Sequence, residues 1–152
     1  MREVYWDNSA TTKVSDEVAK AVFEVMTNYY GNPSSLHRLG LNAEKRLEHS
    51  RQVIADVLKV KPEEIYFTSG ATESNNLAIS SIIDKYSRFW KHIITTAIEH
   101  PSVFNVIKKF EERGYDVTYL KVNENGIISL DELANSIRDD TILISIMQVN
   151  NE

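Results

Sequence analysis

A chain of 152 residues with 42% hydrophobic and 26% charged residues has the composition of a soluble globular protein, and this length predicts one domain. A net charge of −5 gives no electrostatic basis for binding nucleic acid or an anionic membrane, and solubility alone explains it. Cysteine is absent, which excludes disulfides, thiolate metal sites and a thiol nucleophile within these residues.

Neither a membrane span nor a secretion signal is recognisable in the sequence. No apolar run approaches the roughly 20 residues that cross a bilayer. The opening stretch, MREVYWDNSATTK, has no signal-peptide core. We therefore predict a cytoplasmic protein that binds neither nucleic acid nor membranes.

Two helices are predicted before the first strand. The first, over residues 15–30, begins with the capping hydroxyl of Ser15 and then carries apolar residues at helical spacing. The turn GNPSS (residues 31–35) leads to a longer helix over residues 36–58, which Pro62 closes.

Strands and helices alternate from residue 64 onward. Pro101 suits the first turn of one helix, and Ser129 with Glu132 matches the capping box of another. This alternation predicts an α/β fold whose mostly parallel sheet is covered by helices on both faces. The predicted strands are residues 64–67, 92–98, 116–122 and 141–149, and the predicted helices are residues 71–86, 102–112 and 129–137. On the helix over residues 71–86 we expect Leu77, Ile82, Ile83 and Tyr86 to face inward. Because the sequence stops at VNNE, directly after a predicted strand, we expect it to be the N-terminal portion of a longer chain.

Polar residues follow three of the predicted strands. Ser69-Gly70-Ala71-Thr72 comes after the first strand, Glu99-His100 after the second, and Asn150-Asn151 after the last. Ligands of open parallel sheets bind beyond the carboxyl ends of the strands. We therefore expect these three sets, although distant in sequence, to meet at one edge of the sheet.

Residues 69–72, here called the phosphate seat, have the features of an anion site. Gly70 allows a sharp turn and close approach of a ligand, the first N–H groups of the next helix are unpaired, and Thr72 adds a hydroxyl. The GxxxxGK[ST] and GxGxxG motifs are absent. The alternative is an ordinary strand-to-helix turn with a hydroxyl cap. A helix terminus contributes only about 0.3–1 kcal/mol to an anion, so the seat orients a phosphate and other contacts supply most of the affinity.

His100 and the Asn150-Asn151 pair each have two interpretations. The imidazole of His100 can stack on a planar ligand or transfer a proton, or it can simply cap the helix over residues 102–112. The two asparagine amides can donate to a ligand oxygen or form a turn. No pair of histidines has metal-ligand spacing, so we predict no metal site. The other histidines have no evident function: His37 is placed in a loop, His49 on a polar helix face and His92 at the start of a strand.

Five motifs in this order and spacing resemble those of one family: DNSATT (7–12), GNPSS (31–35), FTSGATESNN (67–76), Glu99-His100 and VNNE (149–152). Together they resemble the NifS/IscS-type cysteine desulfurases, which are pyridoxal-phosphate (PLP) enzymes of the class V aminotransferase group. The resemblance implies the large domain of a type I PLP-dependent transferase, like that of aspartate aminotransferase, incomplete in this chain. Residues 1–14 would then be associated with the small domain, and residues 15–152 would form the N-terminal part of the large domain.

The resemblance also implies roles for single residues. Ala71 and Thr72 would bind the PLP phosphate, and His100 would stack on the pyridine ring and help to move protons on the substrate. Asn151 would hydrogen-bond near the phenolic oxygen of PLP and the substrate carboxylate. Asn8 and Ala10 would lie near the substrate entrance.

The same resemblance implies the activity and the partners. In such homodimeric enzymes, whose interface would lie near residues 31–35, a lysine holds PLP, and a thiolate takes the sulfur of L-cysteine as a persulfide while L-alanine is released. An iron–sulfur scaffold or a tRNA-thiolation protein accepts the sulfur. No lysine here matches the cofactor lysine, and cysteine is absent, so these residues alone are expected to be inactive. Selenocysteine lyase or another class V aminotransferase is the alternative within this group, and a non-catalytic α/β anion-binding module is the alternative outside it.

Overall fold

The structure, a computed structural model, describes residues 3–88 and 90–150. The chain forms two compact units, which divide between Phe67 and Thr68. The first unit is helical, and the second contains the sheet. The predicted division after residue 14 concerns the small domain of a longer protein and stays a prediction.

The first unit contains both helices predicted from the N-terminal sequence. Helix α1 spans Asp16–Asn28, and Ser15 Oγ accepts the Val18 N–H at 3.3 Å, which confirms the predicted cap. Helix α2 spans Arg38–Leu58. His37, predicted to lie in a loop without an evident function, caps α2 because its Nδ1 accepts the Gly40 N–H at 3.3 Å. Lys59 ends α2 in the left-handed conformation, with φ 56°, three residues before the predicted stop at Pro62.

Glycines hold the turn over residues 31–35 against the start of α2. A Cβ at Gly31 would overlap the carbonyl of Leu39, and one at Gly40 would overlap the carbonyl of Ser35. Ser35 N–H also donates to Asn32 O at 3.0 Å, which closes the turn. The side-chain-free backbone therefore lets the turn and the helix approach each other closely.

The predicted strand over residues 64–67 is wrong. A single 3₁₀ turn covers Pro62–Glu64. The backbone of Ile65 is extended, but residues 65–67 join no ladder of the sheet that the structure describes. Arg51 Nε donates to Ile65 O at 3.3 Å, so a side chain takes the place of a neighbouring strand. Apolar residues in a short run favour a strand only where a partner strand can pair with them.

The second unit is an α/β arrangement with parallel pairing throughout its described strands. Strand β1 lies between β2 and β3, and both pairings are parallel, which confirms the predicted parallel sheet. All five residues of β1 are buried, as expected for a central strand covered on both faces. In chain order the elements are α3 (Ala71–Tyr86), β1 (His92–Thr96), α4 (Pro101–Glu112), β2 (Asp116–Leu120), α5 (Leu130–Ser136) and β3 (Thr141–Ile144).

The core of the second unit lies between α3, α4 and β1. Its fully or nearly buried members are all apolar: Ile79, Ile83, Ile93, Val103, Val106, Ile107 and Phe110. On α3 the sequence predicted Leu77, Ile82, Ile83 and Tyr86 as inward-facing, but Leu77 is 50% exposed and the buried pair is Ile79 and Ile83. Their spacing of four residues places this pair on one side of α3.

Candidate functional site

Helix α3 begins without a side-chain cap. In the part of the chain that the structure describes, the N-cap side chains of Ser15, His37, His100 and Ser129 each accept a backbone N–H, whereas the N-cap of α3 is Gly70, which has no side chain. The first intrahelical bond of α3 is from Ser74 N–H to Gly70 O at 3.1 Å. The N–H groups of Ala71 and Thr72 therefore remain available to an anion.

Gly70 contributes space to the phosphate seat. Its φ of 164° is extended backbone that any residue adopts, so the predicted sharp turn is not what requires glycine there. A Cβ at Gly70 would meet no described atom within 4 Å. The second part of the prediction, room for a ligand beside Gly70, agrees with this geometry.

Glu73 shares the start of α3 with the phosphate seat. Its Oε2 accepts the Ser69 N–H at 2.6 Å and the Ser69 hydroxyl at 2.7 Å. These two hydrogen bonds lower the pKa of the Glu73 carboxyl, and the bond from the Ser69 N–H is the larger cause. The Ser69 N–H is thus occupied by Glu73, so within the phosphate seat only the groups from Gly70 to Thr72 remain available to an anion.

His100 caps helix α4, as one of its two interpretations predicted. Its Nδ1 accepts the Ser102 N–H at 3.1 Å and lies 2.8 Å from Ser102 Oγ. The ring is nevertheless exposed, so the cap uses one nitrogen and leaves the rest of the imidazole accessible. Capping and ligand contact are therefore compatible.

Two asparagines join the start of α3 to the start of α4. Asn75 Nδ2 donates to Ser102 Oγ at 2.9 Å. Asn76 Nδ2 donates to Thr72 O at 2.7 Å and to Ser102 O at 3.4 Å. The end of the FTSGATESNN motif thus connects the phosphate seat to the helix that His100 caps.

Thr72 and His100 line the same cleft, which has a volume of about 310 Å³. The structure thus brings Thr72 and His100, from two of the three predicted sets, to one cleft, although no strand among the described residues precedes the phosphate seat. The sequence reasoning missed four polar residues of the cleft, namely Asn76, Ser102, Asn105 and Lys109. Asn105 and Lys109 follow Pro101 at intervals of four residues, so the helical period of α4 was a signal that would have found them. The ammonium of Lys109 adds a positive charge to the cleft.

The exits of β1 and β3 are also joined. Glu99 is buried, and its Oε1 accepts the Met147 N–H at 2.7 Å and the Thr96 hydroxyl at 3.1 Å. Asn150 Nδ2 donates to Ile98 O at 3.2 Å. Asn151, the predicted ligand contact, lies outside the described residues, and its role stays a prediction.

Asn8 and Ala10 lie in a turn of the first unit. Asn8 Nδ2 donates to Tyr5 O at 3.3 Å, and the Ala10 N–H donates to Asp7 O at 3.2 Å. Both residues are exposed. Their predicted position at the substrate entrance stays a prediction.

Residues 3–88 and 90–150 contain neither a candidate metal-binding cluster nor a membrane-spanning helix. No group of three or more histidine, aspartate or glutamate side chains there is arranged to hold a metal ion. None of the helices in these ranges combines the length and apolar character needed to traverse a bilayer.

The fold and the cleft define a class of protein. A parallel sheet with an uncapped helix start, a hydroxyl and an exposed imidazole at one cleft suits a flat ligand that carries a phosphate. The donors fit such a group because the amides, the Thr72 hydroxyl and Lys109 favour an anion, while the His100 ring offers a face for stacking.

Comparison with known proteins identifies the family. The family model for class-V aminotransferases matches residues 4–152, and the chain therefore belongs to this family. A protein named cysteine desulfurase IscS from Colwellia psychrerythraea is 49% identical over 152 residues, which cover 98% of this chain and 38% of that protein. A second protein named cysteine desulfurase IscS, from Methanosarcina thermophila, is 49% identical. The match covers 99% of this chain and 37% of that protein.

Solved structures agree with the sequence relatives. A NifS-like protein superposes with a TM-score of 0.96 at 40% identity, over 99% of this chain and 42% of that chain. DndA from Streptomyces lividans superposes with a TM-score of 0.84 at 40% identity, and the match covers 98% of this chain and 42% of DndA. The chain thus has the predicted large-domain fold of type I PLP-dependent transferases, and it spans less than half the length of these relatives.

Proposed function

We propose that this chain forms the N-terminal part of the large domain of a PLP-dependent cysteine desulfurase. The observation that carries the proposal is the single cleft lined by Thr72, at the uncapped start of α3, and by the exposed ring of His100. The relatives named cysteine desulfurase, at 47–49% identity along almost the whole chain, support the same activity.

In this proposal each group of the cleft has a task toward PLP. The N–H groups of Ala71 and Thr72 and the Thr72 hydroxyl would hold the phosphate, and the His100 ring would stack on the pyridine. Asn151 donates to the phenolic oxygen. Bound PLP supplies an electron sink for the bonds at the substrate α carbon. His100 would then hold or move a proton beside that carbon.

L-cysteine is the proposed substrate. A solved relative at 40% identity, SspA, is described as being in complex with cysteine. In this chain Asn8, Ala10 and Asn151 are the proposed contacts of the substrate. The overall reaction removes sulfur from L-cysteine as a persulfide on a cysteine outside these residues and gives L-alanine, and an iron–sulfur scaffold or tRNA-thiolation protein accepts the sulfur.

A homodimer is part of the proposal. Large apolar side chains are exposed on the first unit, and α1 buries none of its residues within the described chain. Leu36, directly after the turn over residues 31–35, is 96% exposed. Exposed apolar patches of this kind are typical of protein–protein contacts.

A cytoplasmic location also remains a proposal, since one relative, from Candida maltosa, is named as a mitochondrial enzyme.

The direct test uses the full-length protein purified in the presence of PLP. We expect a visible absorption band from bound cofactor and formation of alanine from L-cysteine. Absence of both would favour the non-catalytic anion-binding module, and faster turnover of selenocysteine would favour a lyase of that substrate. A second experiment addresses the cleft itself.

Thr72→Val tests the phosphate seat, because it deletes a hydroxyl while roughly keeping the side-chain volume. A hydrogen bond to a charged group contributes about 1.5–3 kcal/mol, so we expect PLP affinity to fall about 10- to 100-fold. Thr72→Ser is the matched control and should retain most of the affinity. Equal cofactor titrations for Thr72→Val and the parent protein would remove Thr72 from the phosphate seat.

A further inference from the structure

The hydrogen bonds of His100 determine which of its ring nitrogens carries a proton. Nδ1 accepts the Ser102 N–H at 3.1 Å, so Nδ1 must present its lone pair. A neutral imidazole has only one N–H. That hydrogen therefore lies on Nε2 whenever the ring is neutral.

A second donor reinforces this arrangement. Ser102 Oγ lies 2.8 Å from His100 Nδ1 and accepts from Asn75 Nδ2 at 2.9 Å. The Asn75 amide nitrogen is only a donor, so the hydroxyl hydrogen of Ser102 is free to point at Nδ1. The donors run in one direction, from Asn75 through Ser102 to His100. Ser102 is only 7% exposed, so water competes little for its hydroxyl.

The alternative tautomer meets a physical obstacle. A hydrogen on Nδ1 would face the Ser102 N–H, and two donors would then oppose each other at the start of α4. The backbone N–H would also lose its acceptor, which costs free energy in a largely buried position.

We propose that Ser102 and Asn75 are positioning residues that hold neutral His100 as the Nε2–H tautomer and leave Nε2 as the ring nitrogen that exchanges protons. The catalytic consequence rests on the proposed function, whereas the tautomer belongs to the protein without any ligand. Asn75 lies on α3, whose first turn contributes Ala71 and Thr72 to the phosphate seat. The same helix would therefore position both the cofactor phosphate and the imidazole.

The experiment is a ¹H–¹⁵N spectrum of the imidazole rings in the full-length, cofactor-free protein labelled with ¹⁵N-histidine. Histidine side chains ordinarily titrate near pH 6.5, and the spectrum is recorded at a pH well above this value. We expect His100 to show a protonated Nε2 and an unprotonated Nδ1. Ser102→Ala should raise the population of the other tautomer about fivefold, the effect of losing one ordinary hydrogen bond.

Asn75→Asp tests the direction of the donor chain. An aspartate at this position accepts from the Ser102 hydroxyl and turns its hydrogen away from His100. We expect a larger shift toward the Nδ1–H tautomer than in Ser102→Ala. His37 is an internal control, because its Nδ1 also caps a helix by accepting a backbone N–H, from Gly40, and its signals should not change.

The outcomes separate this proposal from the proposed function. An Nδ1–H tautomer in the parent protein, or unchanged His100 signals in both folded variants, would overturn the positioning role. The spectra are informative even if the protein neither binds PLP nor acts on cysteine. If it does act on cysteine, Ser102→Ala should lower kcat with little change in KM, since the ring's proton exchange is altered and substrate contacts are not.

Discussion

At the scale of single residues, Thr95 and Thr96 show how burial and pairing can diverge. Both side chains are almost completely buried in β1 and point to opposite faces of the strand. Thr96 donates its hydroxyl to Glu99 at 3.1 Å. Thr95 Oγ1 has no hydrogen-bond partner among the described residues. An unpaired buried hydroxyl destabilises the fold, whereas the paired one supports a buried carboxylate.

Thr95→Val and Thr96→Val should therefore change stability in opposite directions. We expect Thr95→Val to raise the free energy of unfolding by about 1 kcal/mol, because it removes an unsatisfied polar group at constant volume. Thr96→Val should lower it by about 1–3 kcal/mol, since Glu99 loses a donor. Urea denaturation of the two variants measures both values, and equal losses in the pair would show that Thr95 has a partner.

At the scale of elements, Glu99 connects the exits of β1 and β3. These exits are 48 residues apart in sequence, and the link is the hydrogen bond from the Met147 N–H to Glu99 Oε1. Both described hydrogen bonds of the Glu99 side chain, from Thr96 and from Met147, end on Oε1. An amide side chain has an equivalent oxygen, so the shape of the group and its charge can be separated by mutation.

Glu99→Gln should keep the connection and Glu99→Ala should lose it. In the alanine variant we expect the Met147 amide to exchange with solvent deuterium about 10- to 100-fold faster, which corresponds to loss of a charge-assisted hydrogen bond. In the glutamine variant the exchange should rise less than in the alanine variant, because the amide oxygen still accepts the Met147 N–H. If the Met147 amide exchanges as fast in the glutamine variant as in the alanine variant, the connection depends on the negative charge of Glu99 and not on its shape.

At the scale of the whole molecule, His92 joins all three strands of the described sheet. It lies in β1, and its ring nitrogens are 2.8 Å from Thr141 Oγ1 in β3 and 2.9 Å from Thr118 Oγ1 in β2. The ring is completely buried. Burial is the main cause that lowers the pKa of His92, the nearby charge of Arg138 adds to it, and Asp116 and Asp140 oppose it.

This lowered pKa predicts a stability that falls in mild acid. Above about pH 6.5 the ring is neutral in both the folded and the unfolded protein, and its contribution is complete. As the pH falls below 6.5, the unfolded chain takes up the proton first, so stability declines until the folded ring also titrates. Free energies of unfolding measured between about pH 5 and 7 should show this slope.

His92→Gln should flatten that slope, because the amide donates and accepts without titrating. Its absolute stability is expected to be lower, so the comparison concerns the slope alone. His49→Gln, at an exposed position of α2, is the matched control and should keep the decline. A slope unchanged in His92→Gln would assign the pH dependence to other groups.

Much of the second unit could be predicted from local sequence signals. The Ser129 cap and Pro101 in the first turn of α4 were found because each acts within three or four residues of its own position. The strand over residues 64–67 was wrongly predicted because pairing depends on a distant partner. The buried side of α3 was partly wrong for the same reason, since several apolar residues compete for one core.

The sequence by itself determined the order of helices and strands in the second unit and the parallel pairing of its strands. Periodicity and capping are local properties, and the alternation of strands with helices implies a parallel sheet. Only the tertiary structure decided that Asn75 donates to Ser102, that Lys109 shares the cleft with Thr72 and that Glu99 connects to Met147. The physical reason is that such contacts depend on how helices and strands pack across 27 to 48 residues of chain. A helical or strand period describes one element and carries no information on which other element lies beside it.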